Sequence, residues 1–437
     1  MLVRLQLAKD LLDWKVFWHV WTMDFRGRGY TTCELLSPQS SDPDRGLIRF
    51  ANGQKLTKRG RYWQKVNLAN LFDQDKVPFD DRVKWVDNNW KMILRVAEDP
   101  YENKEWIDDS IKKNKSFQRL AAIFDIVRED GYSFIPVQLD GKCNGNQHWS
   151  AIMRDEEIGF LTGVSPSDIP QDLYQYVADE TTAHCENHKE ENNLYAEFLS
   201  HWKGKIQRKV TKRSTMCEPY GITFYGIQRY LKEEGHLDWL PRDRRGGAIV
   251  ELARAIKASL DRCLTNPNRG KQFLKEIIEE ANNRNKHIMW TTPSGFRVVH
   301  YYNKQQKRRS LASLFNKKEL TFYVRTSDVN GREASQAISP NFIHSIDAAH
   351  MFLTIKYLID RGIYDLCMIH DSYGCHANHV DCMRNAIRKT FFDIHSTNLL
   401  EVFKDEIETQ LGTQLPDAPE RGDLDLECVL NSEYFFA

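Results

Sequence analysis

The sequence predicts an α+β fold, mostly helical, with a small antiparallel sheet. Across residues 57–281 apolar side chains recur mostly at helical spacing, broken around 141–145 and 163–170. Residues 290–326 alternate as strands do, about a Pro293-Ser294-Gly295 turn. Apolar runs at 17–23 and 366–374 have strand character, and each delivers an aspartate, Asp24 or Asp371.

Taken in order, Leu5, Leu7, Ala8, Leu11, Leu12 and Val16 predict that the chain opens inside a helix. Residues 17–23 follow as a strand ending at Asp24, and Gly27 and Gly29 bend the chain. Pro38, Asp42-Pro43 and Gly46 mark one loop and Gly53 another. After the long helical stretch and the 290–326 hairpin, strand character on both sides of His370-Asp371 places Asp371 at a hairpin tip. The remainder is helical until 416–419, with no internal repeat or low-complexity region.

Composition bounds the class. The 437 residues suffice for two or three domains, and 41% hydrophobic with 28% charged content is ordinary for a soluble globular chain. Apolar runs fall short of the ~18 residues of a membrane span, and residues 1–15 lack the pattern of a signal peptide. Nine scattered cysteines point to a reducing compartment. The net charge is zero, which argues against a simple nucleic-acid coat and leaves room for an enzyme with a basic channel.

Two lone carboxylates and one basic helix carry the chemistry. An aspartate in a turn is most often a turn former, yet a carboxylate at a strand end also suits magnesium, which takes oxygen ligands. Residues 203–213 hold six basic residues and no acidic one. Arg208, Lys212 and Met216 are spaced by four, so Arg208 and Lys212 would point together at an anion. Pro219 would end or kink the helix and leave Tyr220 and Gly221 at its mouth. Two aspartates clamping two magnesium ions about 3.5–4 Å apart, with cations for a triphosphate, is what nucleotide polymerisation requires. The clusters at 184–188 and 375–382 lack the repeated paired ligands of a zinc site.

Asp24-Phe25-Arg26-Gly27-Arg28, Arg208-Lys209-Val210-Thr211-Lys212-Arg213 through Tyr220-Gly221, and His370-Asp371-Ser372-Tyr373-Gly374 resemble motifs A, B and C of the single-subunit phage and mitochondrial RNA polymerases. Lys76-Val77-Pro78-Phe79, the segment 140–150, the segment 339–345 and the terminal Phe435-Phe436-Ala437 are similar to further family segments. The resemblance implies a right-hand polymerase palm and fingers. Palm with motif A would cover 1–56, fingers with motif B 57–340, and palm with motif C and a C-terminal foot 341–437. It implies that Asp24 and Asp371, with the Phe25 backbone carbonyl, hold two Mg2+ ions. It further implies that Lys212 contacts the triphosphate and acts as catalytic acid, and that Arg208, Arg213 and Met216 bind the NTP. Tyr220 and His344 would sense the ribose 2′-hydroxyl, and His370, Ser372, Gly221, Phe436 and Ala437 would support the motifs.

The hairpin at 290–326, with Arg297, Lys304, Lys307, Arg308 and Arg309, resembles a specificity loop that reads promoter DNA. A phosphate-contacting or solvated loop is the equal alternative. Residues 25–30 hold no acid of the kind related DNA polymerases place after motif A, and Ser372 stands where theirs carry Glu. The resemblance therefore implies a DNA-dependent RNA polymerase acting with DNA template, nascent RNA and NTPs. A DNA polymerase of the same superfamily and a non-catalytic nucleic-acid-binding remnant are the alternatives. With thumb and N-terminal domain absent from the sequence, the resemblance implies the larger chain of a split, heterodimeric phage enzyme. Its partner chain would supply the thumb, the rest of the palm and an N-terminal region. A truncation of a longer chain is the other reading. A single-strand DNA-binding protein would be a further partner, the setting an infected bacterial cytoplasm, and no membrane would be involved.

Overall fold

The computed structural model describes residues 2–107, 115–312 and 318–437. Helices dominate, and among the described residues the strands form one three-stranded sheet and four two-stranded ones. No helix among the described residues is long and apolar enough to cross a membrane.

The three-stranded sheet is antiparallel throughout. Strand Ser372–Cys375 lies between Leu366–Ile369 and Val137–Asp140. The outer strand Val137–Asp140 falls in the break that the helical pattern showed near 141–145. Its four residues are too few for a strand period to stand out beside the long helices. Beneath the sheet, Leu139, Tyr373, Cys375 and Phe436 join Trp63, Val380, Met383 and Phe391 in one buried core. That core takes residues from the helices Lys58–Leu71, Gly331–Ile359 and Val380–His395. Two elements within 57–340, the helix Lys58–Leu71 and the strand Val137–Asp140, thus pack with the chain's last hundred residues.

A second core is built mainly from helices. It joins Leu173–His188, Asn193–His201, the basic helix Arg208–Cys217, Phe224–Glu233 and Arg242–Cys263. A third wraps helices Asn144–Met153, Thr265–Asn283 and Leu399–Leu411 around the long helix Gly331–Ile359.

Two expectations are corrected. The opening helix is only Leu2–Asp10 and buries no residue, and the strand before Asp24 shrinks to Trp21–Met23, exposed throughout. Leu12, Trp14, Val16, Phe17, Trp18 and Val20 are exposed as well, so nothing in the fold pays for a longer regular element here. The 290–326 region is two hairpins. Ile288–Thr291 pairs with Arg297–His300 about the expected turn and is pinned by buried Trp290, Val298 and His300. Asn303–Ala312 pairs with Lys318–Val329 as a separate ribbon, and its tip, 313–317, lies outside the described residues.

Candidate active site

His370 and Asp371 form the two-residue loop of a tight hairpin, since Ile369 pairs directly with Ser372. His370 takes φ 52°, a left-handed conformation that costs a non-glycine residue roughly 1–2 kcal/mol. Its ring packs edge-on against Tyr30 at 4.9 Å. On the other flank of the sheet, Asp140 pairs with Ser372, and the Gly141 amide donates to the Asp371 carbonyl at 3.0 Å. Asp140 and Asp371 both line one cavity of about 550 Å³. Burial, and then the charges of Asp347 and Asp140, push the Asp371 carboxyl up to about 7. Two carboxylates crowded this way favour a bound cation over mutual ionisation.

Asp24 comes from a neighbouring turn, and its charge reaches His370, next to Asp371. It opens the turn between strands Trp21–Met23 and Gly29–Thr31, where its Oδ1 accepts from the amides of Arg26 at 2.9 Å and Arg28 at 3.1 Å. Its Oδ2 accepts from the Arg26 guanidinium, Nε at 2.9 Å and Nη2 at 2.6 Å. Burial opposes the charge, but these bonds outweigh it and hold the carboxyl below the usual range. Neither Asp24 nor Phe25 lines the cavity. Asp347 and Asp140 are the carboxylates whose charges act on Asp371, and Asp140 lies in a segment whose resemblance was noted without a role.

The basic helix faces the same cavity. Arg208, Lys212, Met216 and Tyr220 line it, together with Arg45, Lys76, Lys115 and Lys142. Arg208 Nε donates to Asp172 at 2.5 Å, and Asp172 also caps the helix Leu173–His188. The Arg208 guanidinium and Lys212 Nζ sit over the Tyr174 ring at 5.0 and 5.6 Å. Tyr174 and Asp172 thus hold two cations side by side. Arg213 turns away: it stacks 3.8 Å from the Tyr230 ring centroid and pairs with Glu233 at 3.0 Å, outside the cavity. One hundred degrees of helix rotation between neighbours is enough to put Lys212 and Arg213 on different faces.

The helix ends at Cys217, a single 3₁₀ turn spans Glu218–Tyr220, and Gly221 takes φ 78°. The Pro219 carbonyl accepts from Trp149 Nε1 at 3.1 Å and Ser339 Oγ at 2.9 Å. Glu218 is buried in a salt bridge with Lys271. Glu218-Pro219 therefore anchors the turn and leaves Tyr220 facing the cavity. His344 does not line the cavity but packs on Tyr220, with ring centroids 4.6 Å apart. Burial and the neighbouring Arg28 and Arg26 push His344 down to about 3, so its ring is neutral.

Sequence reasoning missed Asp347. It is buried on the long helix, where Arg28 Nη2 donates to it at 2.5 Å and Asn144 Nδ2 at 2.6 Å. An aspartate among apolar helical residues gives no sign of such partners. The C-terminal residues close the sheet edge: Phe436 bridges to Gly141, and the Ala437 amide donates to the Asp140 carbonyl at 3.2 Å. Ser372 Oγ braces the middle strand through Gln138 at 2.9 Å.

The five basic residues expected on one hairpin are divided. Arg297 belongs to the pinned hairpin, whereas Lys304, Lys307, Arg308 and Arg309 lie on the exposed ribbon. Pairing puts Lys307 with Tyr323 and Arg309 with Thr321 on one face, and Arg308 with Phe322 on the other.

Residues 54–415 match the family model described as DNA-dependent RNA polymerase. The chain belongs to this polymerase family. It is 30% identical to a mitochondrial DNA-directed RNA polymerase of Schizosaccharomyces pombe, over 99% of this chain and 41% of the relative. It is 30% identical to DNA-directed RNA polymerase 1, mitochondrial, of Arabidopsis thaliana, over 99% and 45%. It is 32% identical to DNA-directed RNA polymerase 2B, chloroplastic/mitochondrial, of Nicotiana tabacum, over 99% and 43%. The chain therefore spans less than half the length of these polymerases.

Proposed function

We propose that this chain is the catalytic portion of a DNA-dependent RNA polymerase, transferring nucleotides from NTPs to an RNA 3′ end. One observation carries the reading: Asp140 and Asp371 open into the same cavity as Arg208, Lys212 and Tyr220. Asp371, with Asp24 from the neighbouring turn and Asp140 beside it on the cavity wall, would hold magnesium, which commonly takes one or two protein carboxylates and completes its shell with substrate phosphates and water. When bound, magnesium would supply charge stabilisation at the attacking and leaving oxygens. Arg208, Lys212 and Lys76 neutralise and orient the triphosphate, and Lys212 is the candidate proton donor to the departing pyrophosphate.

Tyr220, at the cavity wall, reads the sugar. A site built around a hydrogen bond to a hydroxyl penalises the substrate that lacks it. Primer extension of an RNA primer on a DNA template, with NTPs against dNTPs, tests the function. A strong dNTP preference would turn the assignment to a DNA polymerase. No extension, with Asp371→Asn binding template as the parent does, would leave a non-catalytic remnant. Tyr220→Phe should keep extension and relax the preference for NTPs.

The exposed residues Leu12, Trp14, Trp18, Val20 and Trp21 form an apolar run that isolated soluble chains seldom leave in water. We read it as the seat of further polymerase polypeptide, on a separate chain of a split enzyme or elsewhere in a longer one. Co-purification from the native source distinguishes the two. A pure single chain of these 437 residues that elongates RNA processively alone would refute both.

A further inference from the structure

We propose that Lys142 is a pyrophosphate-binding residue: a cation stowed in the cavity wall that turns onto the leaving diphosphate once a nucleotide is transferred. The identity of the ligand rests on the polymerase reading, and the site itself rests on geometry.

Lys142 follows Asp140 by two residues, in the loop between the strand Val137–Asp140 and the helix Asn144–Met153. Gly141 pins that loop, since its amide donates to the Asp371 carbonyl and it bridges to Phe436. The Lys142 backbone is thus fixed beside Asp140 and Asp371, and the residue lines their cavity. Its tip lies against the buried Tyr434 ring, with Nζ 5.2 Å from the centroid. There Nζ is buried and makes no hydrogen bond to any described residue.

Nothing around the tip balances it. Burial, then the charges of Lys76 and Arg82, weigh against a charge there, and Asp172 and Asp75 offset them only in part. Both aspartates are already engaged. Asp172 accepts from Arg208 Nε at 2.5 Å, and Asp75 accepts from Lys76 Nζ at 2.7 Å. Arg82 directs its donors to Asn70 and to the carbonyls of Val77 and Asp75. An aromatic face is a weak substitute for a counter-ion, and a buried ammonium without one is costly. Folds keep such a conflict where a ligand relieves it.

The missing group is an anion. Among the described residues, six lysines and arginines line the cavity against four aspartates, so the surplus charge is positive. Arg208, Lys212 and Lys76 serve the triphosphate, while Lys142 is held back over Tyr434. Transfer changes the ligand. The bond from the α-phosphorus to the bridging oxygen breaks, and that oxygen leaves with the electron pair. Until it is protonated, the diphosphate carries one more negative charge than it did within the NTP. The flexible four-carbon stem lets the ammonium swing from Tyr434 to meet it. Lys76 and Arg208, on the same wall, face the same anion.

Two measurements test this on the full chain, each with the parent, Lys142→Met and Lys142→Arg. The first is calorimetric titration with sodium pyrophosphate at fixed magnesium. Lys142→Met should bind it about tenfold more weakly, the worth of one charge-assisted hydrogen bond. Lys142→Arg, which keeps the charge, should recover most of the loss. Unchanged affinity in Lys142→Met would overturn the proposal. Replacing a buried charge that lacks a counter-ion by an apolar chain should leave the melting temperature equal or higher. A clear drop in Lys142→Met would mark a structural prop for Tyr434 and overturn the proposal as well. The second measurement follows NTP incorporation with and without added pyrophosphate. Lys142→Met should keep KM for the NTP within about twofold of the parent and raise the pyrophosphate inhibition constant about tenfold. Equal weakening of both would make Lys142 an ordinary triphosphate contact and overturn its product-specific role. If the parent extends with neither NTP nor dNTP, the polymerase reading has failed, and the calorimetry still decides whether Lys142 binds the diphosphate.

Discussion

Gly145 lies directly against Tyr220: a methyl group added to this glycine would stand 3.0 Å from the tyrosine hydroxyl and 2.7 Å from Pro219 Cβ. The glycine sits in the helix Asn144–Met153 that follows the Asp140 strand, so Tyr220 and that strand meet there. Gly145→Ala should therefore push the Glu218–Tyr220 turn outward. We expect a loss of about 1–3 kcal/mol of stability from overpacking, read by thermal melting, together with weaker NTP-over-dNTP preference. An unaltered preference would mean that the turn yields without moving Tyr220.

Asp140→Asn and Asp371→Asn should each cost about a thousandfold or more in NTP turnover, as expected for groups that stabilise the transition state electrostatically. Asp24→Asn should cost as much, as the resemblance of its turn to motif A implies, although its bonds in this structure go to Arg26 and Arg28. Single-turnover extension rates for the three variants give the comparison.

The pH dependence follows from Asp371. Its carboxyl sits at about 7 in the folded chain against 3.8 ordinarily. Between those values the folded state holds a proton that the unfolded state has released. The associated stability is thus full below about 4 and is lost as pH rises through about 7. Without metal, the parent should lose a few degrees of melting temperature relative to Asp371→Asn between pH 5 and pH 8. Added magnesium should restore it in the parent alone, and turnover should fall on acidification below about pH 7 as the carboxyl protonates.

The ribbon should bind nucleic acid through one face. Lys307 shares its face with Tyr323, whereas Arg308 shares the other with Phe322. Lys307→Glu should weaken DNA binding about tenfold and lower the salt slope by roughly one unit, with a smaller effect from Arg308→Glu. Titrations at several salt concentrations measure this. Repeating them on scrambled templates after deletion of 303–310 separates base reading from phosphate contact, since only the former changes sequence preference.

Much of the site could be read in the chain because its chemistry is local. The His370-Asp371 hairpin is written in two apolar runs around a two-residue loop, and Arg208 and Lys212 in helical spacing. The end of the basic helix at Pro219 follows from a missing backbone donor. What escaped was decided by tertiary pairing. Asp24 and Asp140 look alike as strand-end aspartates. Only the pairing of Val137–Asp140 with Ser372–Cys375 shows that Asp140, too, lies next to the Asp371 hairpin. Arg26 lies two residues from Asp24 and neutralises it, a contact the sequence spacing allows without requiring. Asp347 was invisible because its partners, Arg28 and Asn144, are 319 and 203 residues away.

The bridge from Phe436 to Gly141 and the bond from Ala437 to Asp140 place residues 436 and 437 against the strand that pairs beside Asp371. On the ribosome, Asp140 emerges early and Asp371 later, yet the edge beside them stays open until residues 436 and 437 have also been made and have left the tunnel. A nascent polypeptide stalled between Asp371 and Phe436 would carry both aspartates and remain incomplete at the very edge where they meet.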